Sequence, residues 1–181
     1  MIMAKYNAAE IESALNSIEI LVDTREKVWG HIESGLKEIG CPCVAHKLDF
    51  GDYSYKYTNP EGEDIFCHKE IVVERKANAE EISGNLTKQR ERFKREFEKA
   101  NAFGTDVYLL IENCNWGIID NHGYRTNFNP KSFEASLFSF MAKYNLKLQF
   151  CNSAFSAKLI YGIFRYHLRN KLERAEGDGI V

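Results

Sequence analysis

The spacing of hydrophobic and polar positions predicts that helices and strands are mixed along this chain. The apolar run at 18–23 is short and ends in a carboxylate, which is typical of a buried strand. Between residues 26 and 40 the hydrophobic side chains recur at helical intervals, and this pattern stops at Gly40. Residues 8–17 have a helix-forming composition. We therefore expect a helix, a strand and a second helix in the segment that ends at Gly40.

Three segments with strand character follow. They read CVAHKLDF (43–50), DYSYKYT (52–58) and DIFCHKEIVVERK (64–76), and the turn NPEG (59–62) predicts that the second and third form a hairpin. The polar, basic stretch at 83–101 has a helical composition. It predicts one long helix after the hairpin.

Strands and helices alternate in the C-terminal half. VYLLIEN (107–113) is a nearly continuous apolar run and predicts a strand that is buried on both faces. An amphipathic helix at 132–145, the strand LKLQFC (146–151) and a long final helix from about residue 153 are expected after it. This order predicts an α/β fold in which α-helices flank a central mixed β-sheet.

The length and composition of the chain fit one domain. Its 181 residues are 44% hydrophobic, which is enough to bury a core without disulfides or a structural metal. We expect an N-terminal helical extension at 1–17, one compact domain at 18–174 and a flexible tail at 175–181.

Charge and cysteine content narrow the class of protein. The five cysteines stand in irregular positions, which is typical of reduced thiols. No apolar run is long enough to span a membrane, and the first residues lack the pattern of a signal peptide. The formal net charge of -2 argues against a protein that coats nucleic acid without specificity. We expect a cytoplasmic protein with no membrane partner and no small-molecule cofactor.

Three carboxylates stand where predicted strands end or turn, namely Asp23, Asp52 and Glu74. Since side chains alternate along a strand, Glu74 and Lys76 project to one face of the sheet and Arg75 to the other. Neighbouring strands lie only ~5 Å apart, so Asp52 and Glu74 can meet at one edge. Carboxylates bind Mg²⁺, and a nearby lysine can stabilise a phosphorane or orient a water. This pattern predicts a metal-dependent site for phosphodiester hydrolysis, although a Glu-x-Lys pair is also typical of a solvated salt bridge.

Four ordered motifs resemble those of a known family. VDTRE (22–26), GDY (51–53), VERK (73–76) and a carboxylate four residues beyond the lysine are similar to the GD…ERKxxxD signature of the XPF-type nuclease domain. The short single-domain members encoded by phages and prophages are the most similar, in segments such as LDFGDYS and NPKSF. The resemblance implies a restriction-endonuclease-like PD-(D/E)XK fold and a nuclease domain at 18–174.

The resemblance also implies roles for seven residues. It makes Asp23, Asp52 and Glu74 the ligands of Mg²⁺, for which Mn²⁺ substitutes, and places Lys76 nearest the nucleophilic water. The remaining motif positions, expected in the catalytic centre, are Arg25, Arg75 and Glu80. Arg25 is expected to contact a phosphate or organise the site, whereas the role of Arg75 stays open. Glu80 stands where the family has aspartate, which puts direct metal ligation by its longer side chain in doubt.

The basic stretch after VERK allows two interpretations. In the first, Lys88, Gln89 and Arg92 lie on one turn of one face of the predicted helix and contact DNA phosphates near the site. The alternative is a solvated helix held by ion pairs, such as Glu91 with Arg95. The resemblance favours the DNA-binding interpretation for Gln89 and Arg92.

A zinc site is an alternative for the cysteines in the first half of the chain. Cys41, Cys43, Cys67 and His68 carry suitable ligand atoms, but the spacing of the first two is not the usual CxxC. Half-buried thiols on strands are the more common explanation.

These observations predict a Mg²⁺-dependent endonuclease that cuts branched or duplex DNA in phage or bacterial DNA recombination, replication or repair. Two alternatives stay open. One is a catalytically silent DNA-binding subunit of a nuclease complex. The other is a sequence-specific restriction enzyme that reads bases through the loop at 118–130. A homodimer through the final helix is a further possibility that the sequence does not decide.

Overall fold

A seven-stranded β-sheet forms the centre of the computed structural model, which describes residues 5–175. The strands are β1 (Glu19–Asp23), β2 (Cys43–His46), β3 (Tyr53–Thr58), β4 (Asp64–Phe66), β5 (Ile71–Lys76), β6 (Asp106–Glu112) and β7 (Lys147–Cys151). They are ordered β2-β1-β3-β5-β6-β7, and β4 pairs with the second half of β3. Pairs β1–β2, β5–β6 and β6–β7 are parallel, whereas β3 runs antiparallel to β1, β4 and β5.

Helices cover both faces of the sheet. Helices α1 (Ala8–Asn16), α2 (Gly30–Glu38) and α7 (Ser156–Arg174) contribute to one hydrophobic core. Helices α3 (Ala79–Leu86), α4 (Arg90–Ala102), α5 (Trp116–Asp120) and α6 (Pro130–Tyr144) contribute to the other, and a short 3₁₀ turn (Ser153–Phe155) precedes α7. The predicted α/β fold with a mixed sheet between helices is therefore confirmed.

Strand β5 illustrates why both layers form. Ile71 and Val73 belong to the core under α7, whereas Val72 between them belongs to the core under α3 and α4. Each such side chain contributes roughly 1.5–3 kcal/mol when it is fully buried. A strand buried on both faces is hydrophobic at successive positions rather than at every second one.

Two sequence-based predictions of elements were wrong. The predicted helix at 83–101 is two helices, because Thr87 donates its hydroxyl to the Ser83 carbonyl (2.7 Å) and Gln89 N–H bonds to the Gly84 carbonyl, which ends α3. The predicted strand 64–76 is divided into β4 and β5 by a turn at 67–70. The hairpin at 59–62 is confirmed.

The chain termini are described only in part. In the predicted extension at 1–17, residues 1–4 lie outside the described residues, and α1 buries Ile11 and Leu15 in the core. Of the predicted tail at 175–181, only residue 175 lies within them. Among the helices within residues 5–175, none has both the length and the apolar character needed to cross a bilayer.

Gly51 and Asp52 directly precede β3, and the backbone conformation of Gly51 sets how the chain enters that strand. Its φ is +74°, and a Cβ added there would lie 2.8 Å from the Val72 Cβ. We expect Gly51→Ala to lower the free energy of unfolding by roughly 2–4 kcal/mol, from left-handed strain and overpacking together. Urea unfolding would measure this loss.

Gly62→Ala is the matched control for this prediction. Gly62 also has a positive φ (+87°), but no atom lies within 4 Å of the added Cβ. We expect Gly62→Ala to lower the free energy of unfolding by roughly 1–2 kcal/mol, from left-handed backbone strain alone. Equal losses of unfolding free energy in the two variants would show that contact with Val72 does not add to the destabilisation of Gly51→Ala.

Candidate active site

Strand pairing brings the predicted carboxylates to one edge of the sheet. Asp23 is the last residue of β1, Asp52 directly precedes β3, and Glu74 lies near the end of β5. These strands are adjacent, and the backbone links them at this edge: Asp23 N–H donates to the Asp52 carbonyl (2.8 Å) and Asp52 N–H to the Val73 carbonyl (2.9 Å). Residues distant in sequence therefore share one site.

An open cleft of about 340 Å³ lies at this edge. Its lining is charged and comes from the turn after β1, the β2–β3 loop, β5 and α4. The lining residues are Arg25, Asp49, Phe50, Gly51, Asp52, Glu74, Lys76, Arg92 and Glu96. Five of the sequence-predicted site residues lie there together: Arg25, Asp52, Glu74, Lys76 and Arg92.

Asp52 and Glu74 form an acidic pair on the floor of the cleft. Burial and the neighbouring Glu74 carboxylate raise the pKa of Asp52 well above its usual value. The Lys76 ammonium and the Arg75 backbone N–H, which donates to Asp52 Oδ2 (2.7 Å), only partly oppose this rise. Two carboxylates that repel each other are stabilised by a cation between them.

Lys76 is held as a buried cation beside this pair. Its Nζ lies 2.5 Å from Glu74 Oε1 and 5.4 Å from the centre of the Phe93 ring. Burial alone would lower the pKa of Lys76, but the Glu74 and Asp52 carboxylates raise it above its usual value. With these two carboxylates beside it, the side chain carries a positive charge.

Asp23 is hydrogen-bonded differently from the other two carboxylates. Its Oδ1 accepts from Arg25 N and Nε, and its Oδ2 accepts from Arg25 Nη2 and Leu48 N. Burial favours a higher pKa, but these bonds lower the pKa of Asp23 below its usual value. Metal ligation by Asp23 stays a prediction, and it would require Arg25 to move away.

The donor atoms present fit a hard divalent cation. Within residues 5–175 no three His, Cys, Asp or Glu side chains are grouped as a metal site. Asp52 and Glu74 nevertheless offer two carboxylates in a cleft that water can enter. Mg²⁺ is commonly bound through one or two carboxylates, with waters and substrate phosphates as the other ligands.

Arg75 points away from the cleft, as strand alternation predicts. Its Nη2 donates to Glu112 Oε2 (2.7 Å) and its Nη1 to the Val28 carbonyl (3.0 Å). Glu112 Oε1 also accepts from Ser156 Oγ (2.5 Å) and lies 2.8 Å from His31 Nε2. This buried cluster joins β5 and β6 to α2 and α7, so Arg75 supports the strand that carries Glu74 and Lys76.

Glu80 lies outside the cleft. Its Oε1 accepts from the backbone N–H of Arg125 (3.0 Å). Its neighbour Glu81 lies nearer the site, with Oε1 3.9 Å from Lys76 Nζ. The structure does not bring Glu80 into the cleft, because the first turn of α3 directs Glu81 rather than Glu80 toward β5. A role for Glu80 in the catalytic centre stays a prediction.

The three predicted DNA-binding residues do not share one helical face. Lys88 lies in the break between α3 and α4 and lines a second cleft that shares no residue with the acidic one. Gln89 directly precedes α4 and accepts from Asn85 (3.1 Å), whereas Arg92 lines the acidic cleft. The prediction of a single face fails because the helix is interrupted, while the roles in DNA binding stay predictions.

Glu96 is a cleft residue that the sequence analysis did not single out. Burial and the Glu74 carboxylate raise the pKa of Glu96, and Arg92 Nε lies 3.7 Å from its Oε1. A signal was present, since Glu96 lies beside the buried stripe formed by Phe93 and Phe97. A carboxylate next to the apolar face of a helix is directed toward the sheet.

The cysteines considered as zinc ligands pack in or near the core. Cys41 and Cys67 are buried there, and burial raises their pKa values to about 12 and about 11. The Cys41 thiol donates to the Ile18 carbonyl (3.6 Å). The rings of His46 and His68 lie 5.4 Å apart.

Comparisons with known proteins agree with this architecture. The family model of the ERCC4 domain matches residues 22–163. The solved structure of XPF from Aeropyrum pernix is 20% identical, with a TM-score of 0.62, and the match covers 83% of this chain and 65% of that one. XPF from Aeropyrum pernix in complex with DNA is 19% identical, with a TM-score of 0.61 and coverage of 84% and 66%.

The extent of these matches limits what they show. The chain spans just under two thirds of the length of these solved proteins, and at such identity the likeness shows the fold. No curated protein sequence matches the chain.

Proposed function

This chain belongs to the ERCC4 (XPF-type nuclease) domain family, and from that membership we propose that it is a metal-dependent DNA endonuclease. The observation that carries the proposal is the cleft in which Asp52, Glu74 and Lys76 are held together by strand pairing. Two carboxylates with a buried ammonium beside them suit the hydrolysis of a phosphodiester better than binding alone. A subunit that only bound DNA would gain nothing from repulsion between buried carboxylates.

Asp52 and Glu74 would hold the ion, with Mg²⁺ as the expected metal and Mn²⁺ as a substitute. When bound, such an ion polarises the phosphoryl oxygen and lowers the pKa of a coordinated water. The Lys76 ammonium would place a positive charge near the phosphate on which negative charge develops. Arg75 N–H fixes the orientation of Asp52 through the 2.7 Å hydrogen bond to Oδ2.

Arg25 and Arg92 would bind the DNA backbone at the rim of the cleft. The Arg25 side chain is 67% exposed although it is anchored on Asp23, and the Arg92 side chain is 63% exposed. Phosphate contacts of this kind supply affinity that does not depend on sequence. A DNA complex is also known for a protein of similar fold. We propose duplex or branched DNA as substrate, in recombination, replication or repair of phage or bacterial DNA.

Cleavage of end-labelled DNA would test this proposal. Single-stranded, duplex, splayed-arm, flap and four-way-junction substrates would each be incubated with Mg²⁺, Mn²⁺ or EDTA. Cutting that requires metal would support the nuclease, and the preferred substrate would identify its task. Fixed cut positions in sequence would favour the restriction-enzyme alternative. Metal-independent DNA binding without cutting would favour the silent subunit.

A homodimer through α7 stays a prediction from the sequence. Sedimentation velocity of the same preparation, with and without DNA, would measure the oligomeric state. A species of twice the monomer mass would support the dimer.

Glu96→Gln is expected to weaken metal binding without abolishing cleavage. The carboxylate faces Glu74 and contributes negative potential to the cleft. Loss of a residue that interacts with a metal ligand, without binding the metal itself, typically lowers metal affinity roughly 10–100-fold. We expect a higher Mg²⁺ concentration at half-maximal cleavage, with most of the rate recovered at saturating Mg²⁺.

Glu98→Gln is the matched control on the same helix. Glu98 is exposed and lies near Lys143 and Tyr144, away from the cleft. Its Mg²⁺ titration is expected to match that of the wild type. Identical titrations for both variants would remove Glu96 from the site.

A further inference from the structure

A second cleft lies beside α3 and shares no lining residue with the acidic cleft. It has a volume of about 640 Å³ and is formed by one side of α3, the break before α4 and the loop before α6. Side chains that line it include Ser83, Thr87, Lys88, Arg125, Thr126 and Phe128. The proposed phosphodiester chemistry uses none of them.

The charges of this cleft suit an anionic ligand. Lys88 and Arg125 are exposed, and within the described part of the chain neither side chain has an ion-pair partner. The carboxylate among the described lining residues is Glu80, and its Oε1 accepts from the backbone N–H of Arg125. Two free cations therefore face the cleft, and its one carboxylate is already hydrogen-bonded.

The loop that carries Arg125 is held in a defined shape. Tyr124 donates its hydroxyl to the Phe128 carbonyl (2.6 Å), and His122 Nε2 lies 2.8 Å from the Thr126 carbonyl oxygen. The hydroxyls of Thr126 and Ser83 are hydrogen-bonded at 2.7 Å, which ties the loop to α3. The cleft exists before a ligand arrives, so little ordering is needed on binding.

An aromatic wall completes the cleft. Phe128 is half-buried, stacks on Phe133 (centroids 5.2 Å apart) and lines the cleft. Single-stranded DNA is typically bound by cations that contact its phosphates together with an aromatic ring on which a base stacks. A duplex keeps its bases stacked inside and offers none to such a ring.

We propose that this second cleft binds a single-stranded segment of DNA, with phosphates on Lys88 and Arg125 and a base against Phe128. This inference rests on the proposed function, because it gives the nuclease a contact beyond the scissile phosphate. Helix α3 neighbours both clefts, because Ser83 and Gly84 line the second cleft and Glu81 Oε1 lies 3.9 Å from Lys76 Nζ in the acidic cleft.

Fluorescence anisotropy without metal would test the proposal. The probes are a labelled oligothymidylate of about 16 nucleotides, near the upper site size of single-strand-binding domains, and a duplex of equal length. We expect Lys88→Ala and Arg125→Ala each to weaken binding of the single strand and to reduce the slope of log K against log salt by about 0.7. Phe128→Leu retains apolar packing, and we expect it to weaken single-strand binding roughly tenfold.

Lys158→Ala is the matched control, because Lys158 is an exposed cation on α7, across the sheet from the cleft. It is expected to bind both probes like the wild type. Thermal unfolding of each variant would show whether the fold is kept. Unchanged single-strand affinity in the folded cleft variants, or equal losses on single strand and duplex, would overturn the proposal.

The two proposals fail in different ways. Binding in EDTA is independent of cleavage. If the cleft variants lose single-strand binding but the wild type cuts no substrate, the proposed nuclease activity is refuted and the proposed DNA-binding cleft stands. If the wild type cuts DNA and the cleft variants bind single-stranded DNA with wild-type affinity, only the proposed DNA-binding role of the cleft is refuted.

Discussion

Asp52→Asn is expected to reduce metal-dependent DNA cleavage by roughly 10³-fold, since a bound metal supplies several kcal/mol of transition-state stabilisation. The amide has the same shape and can still accept from Arg75 N–H, but it brings no charge to a cation. Single-turnover cleavage of the preferred substrate, with Mg²⁺ and with Mn²⁺, would measure the loss.

Stability should change in the opposite direction to activity in this variant. The raised pKa of Asp52 means that its ionised form is less favourable in the folded chain, so above the ordinary carboxyl pKa it lowers stability. Removing that charge is expected to leave Tm equal to or higher than that of the wild type. A loss of cleavage with an unchanged or raised Tm would assign Asp52 to function rather than folding.

Asp120→Asn provides the control for Asp52→Asn. It makes the same chemical change at an exposed residue of α5 and should alter neither cleavage nor Tm. Cleavage by the Asp52 variant at the wild-type rate would remove this residue from the centre.

Glu112→Ala is expected to lower the free energy of unfolding by about 3–5 kcal/mol, because it leaves the buried Arg75 guanidinium without its carboxylate. The side chains of Arg75 and Glu112 are only 6% and 1% exposed. In a domain of this size the loss corresponds to a fall in Tm of about 6–20 °C. Urea unfolding followed by circular dichroism would measure it.

The contribution of Glu112 also depends on pH. Burial opposes ionisation, but the hydrogen bonds from Arg75, His31 and Ser156 lower the pKa of Glu112 below its usual value. Its stabilising contribution is therefore full above the ordinary carboxyl pKa, and it is lost as the pH falls through the lowered folded pKa. The difference in stability between wild type and Glu112→Ala should narrow in acid.

A double replacement separates the unpaired charge from the loss of packing. Arg75→Met combined with Glu112→Leu removes both charges and keeps apolar volume, so stability is expected to return to near the wild-type value. If the single Glu112 variant unfolds at the wild-type Tm, the cluster does not support β5. If the double variant is as unstable as the single one, the unpaired charge is not the cause.

Much of the fold could be predicted from the order of hydrophobic runs. The apolar strand at 107–113 is β6 (Asp106–Glu112) within one residue at each end, and the turn at 59–62 closes the β3–β4 hairpin. These predictions succeed because burial on both faces of a strand, and the conformations of Pro and Gly in a turn, are local properties. The helix at 83–101 failed because the bond from Thr87 to Ser83 competes with helix continuation.

The sequence by itself determined that Asp52, Glu74 and Lys76 stand at strand ends with the last two on one face. Only the tertiary structure decided what surrounds them. It shows that Asp23 is hydrogen-bonded to Arg25, and that Glu96 of α4 lies near Glu74. It also decided the partner of Arg75, which is Glu112, 37 residues further along the chain. Alternation along a strand depends on neighbouring residues alone, whereas contacts between distant segments depend on strand order and helix packing, which no local pattern specifies.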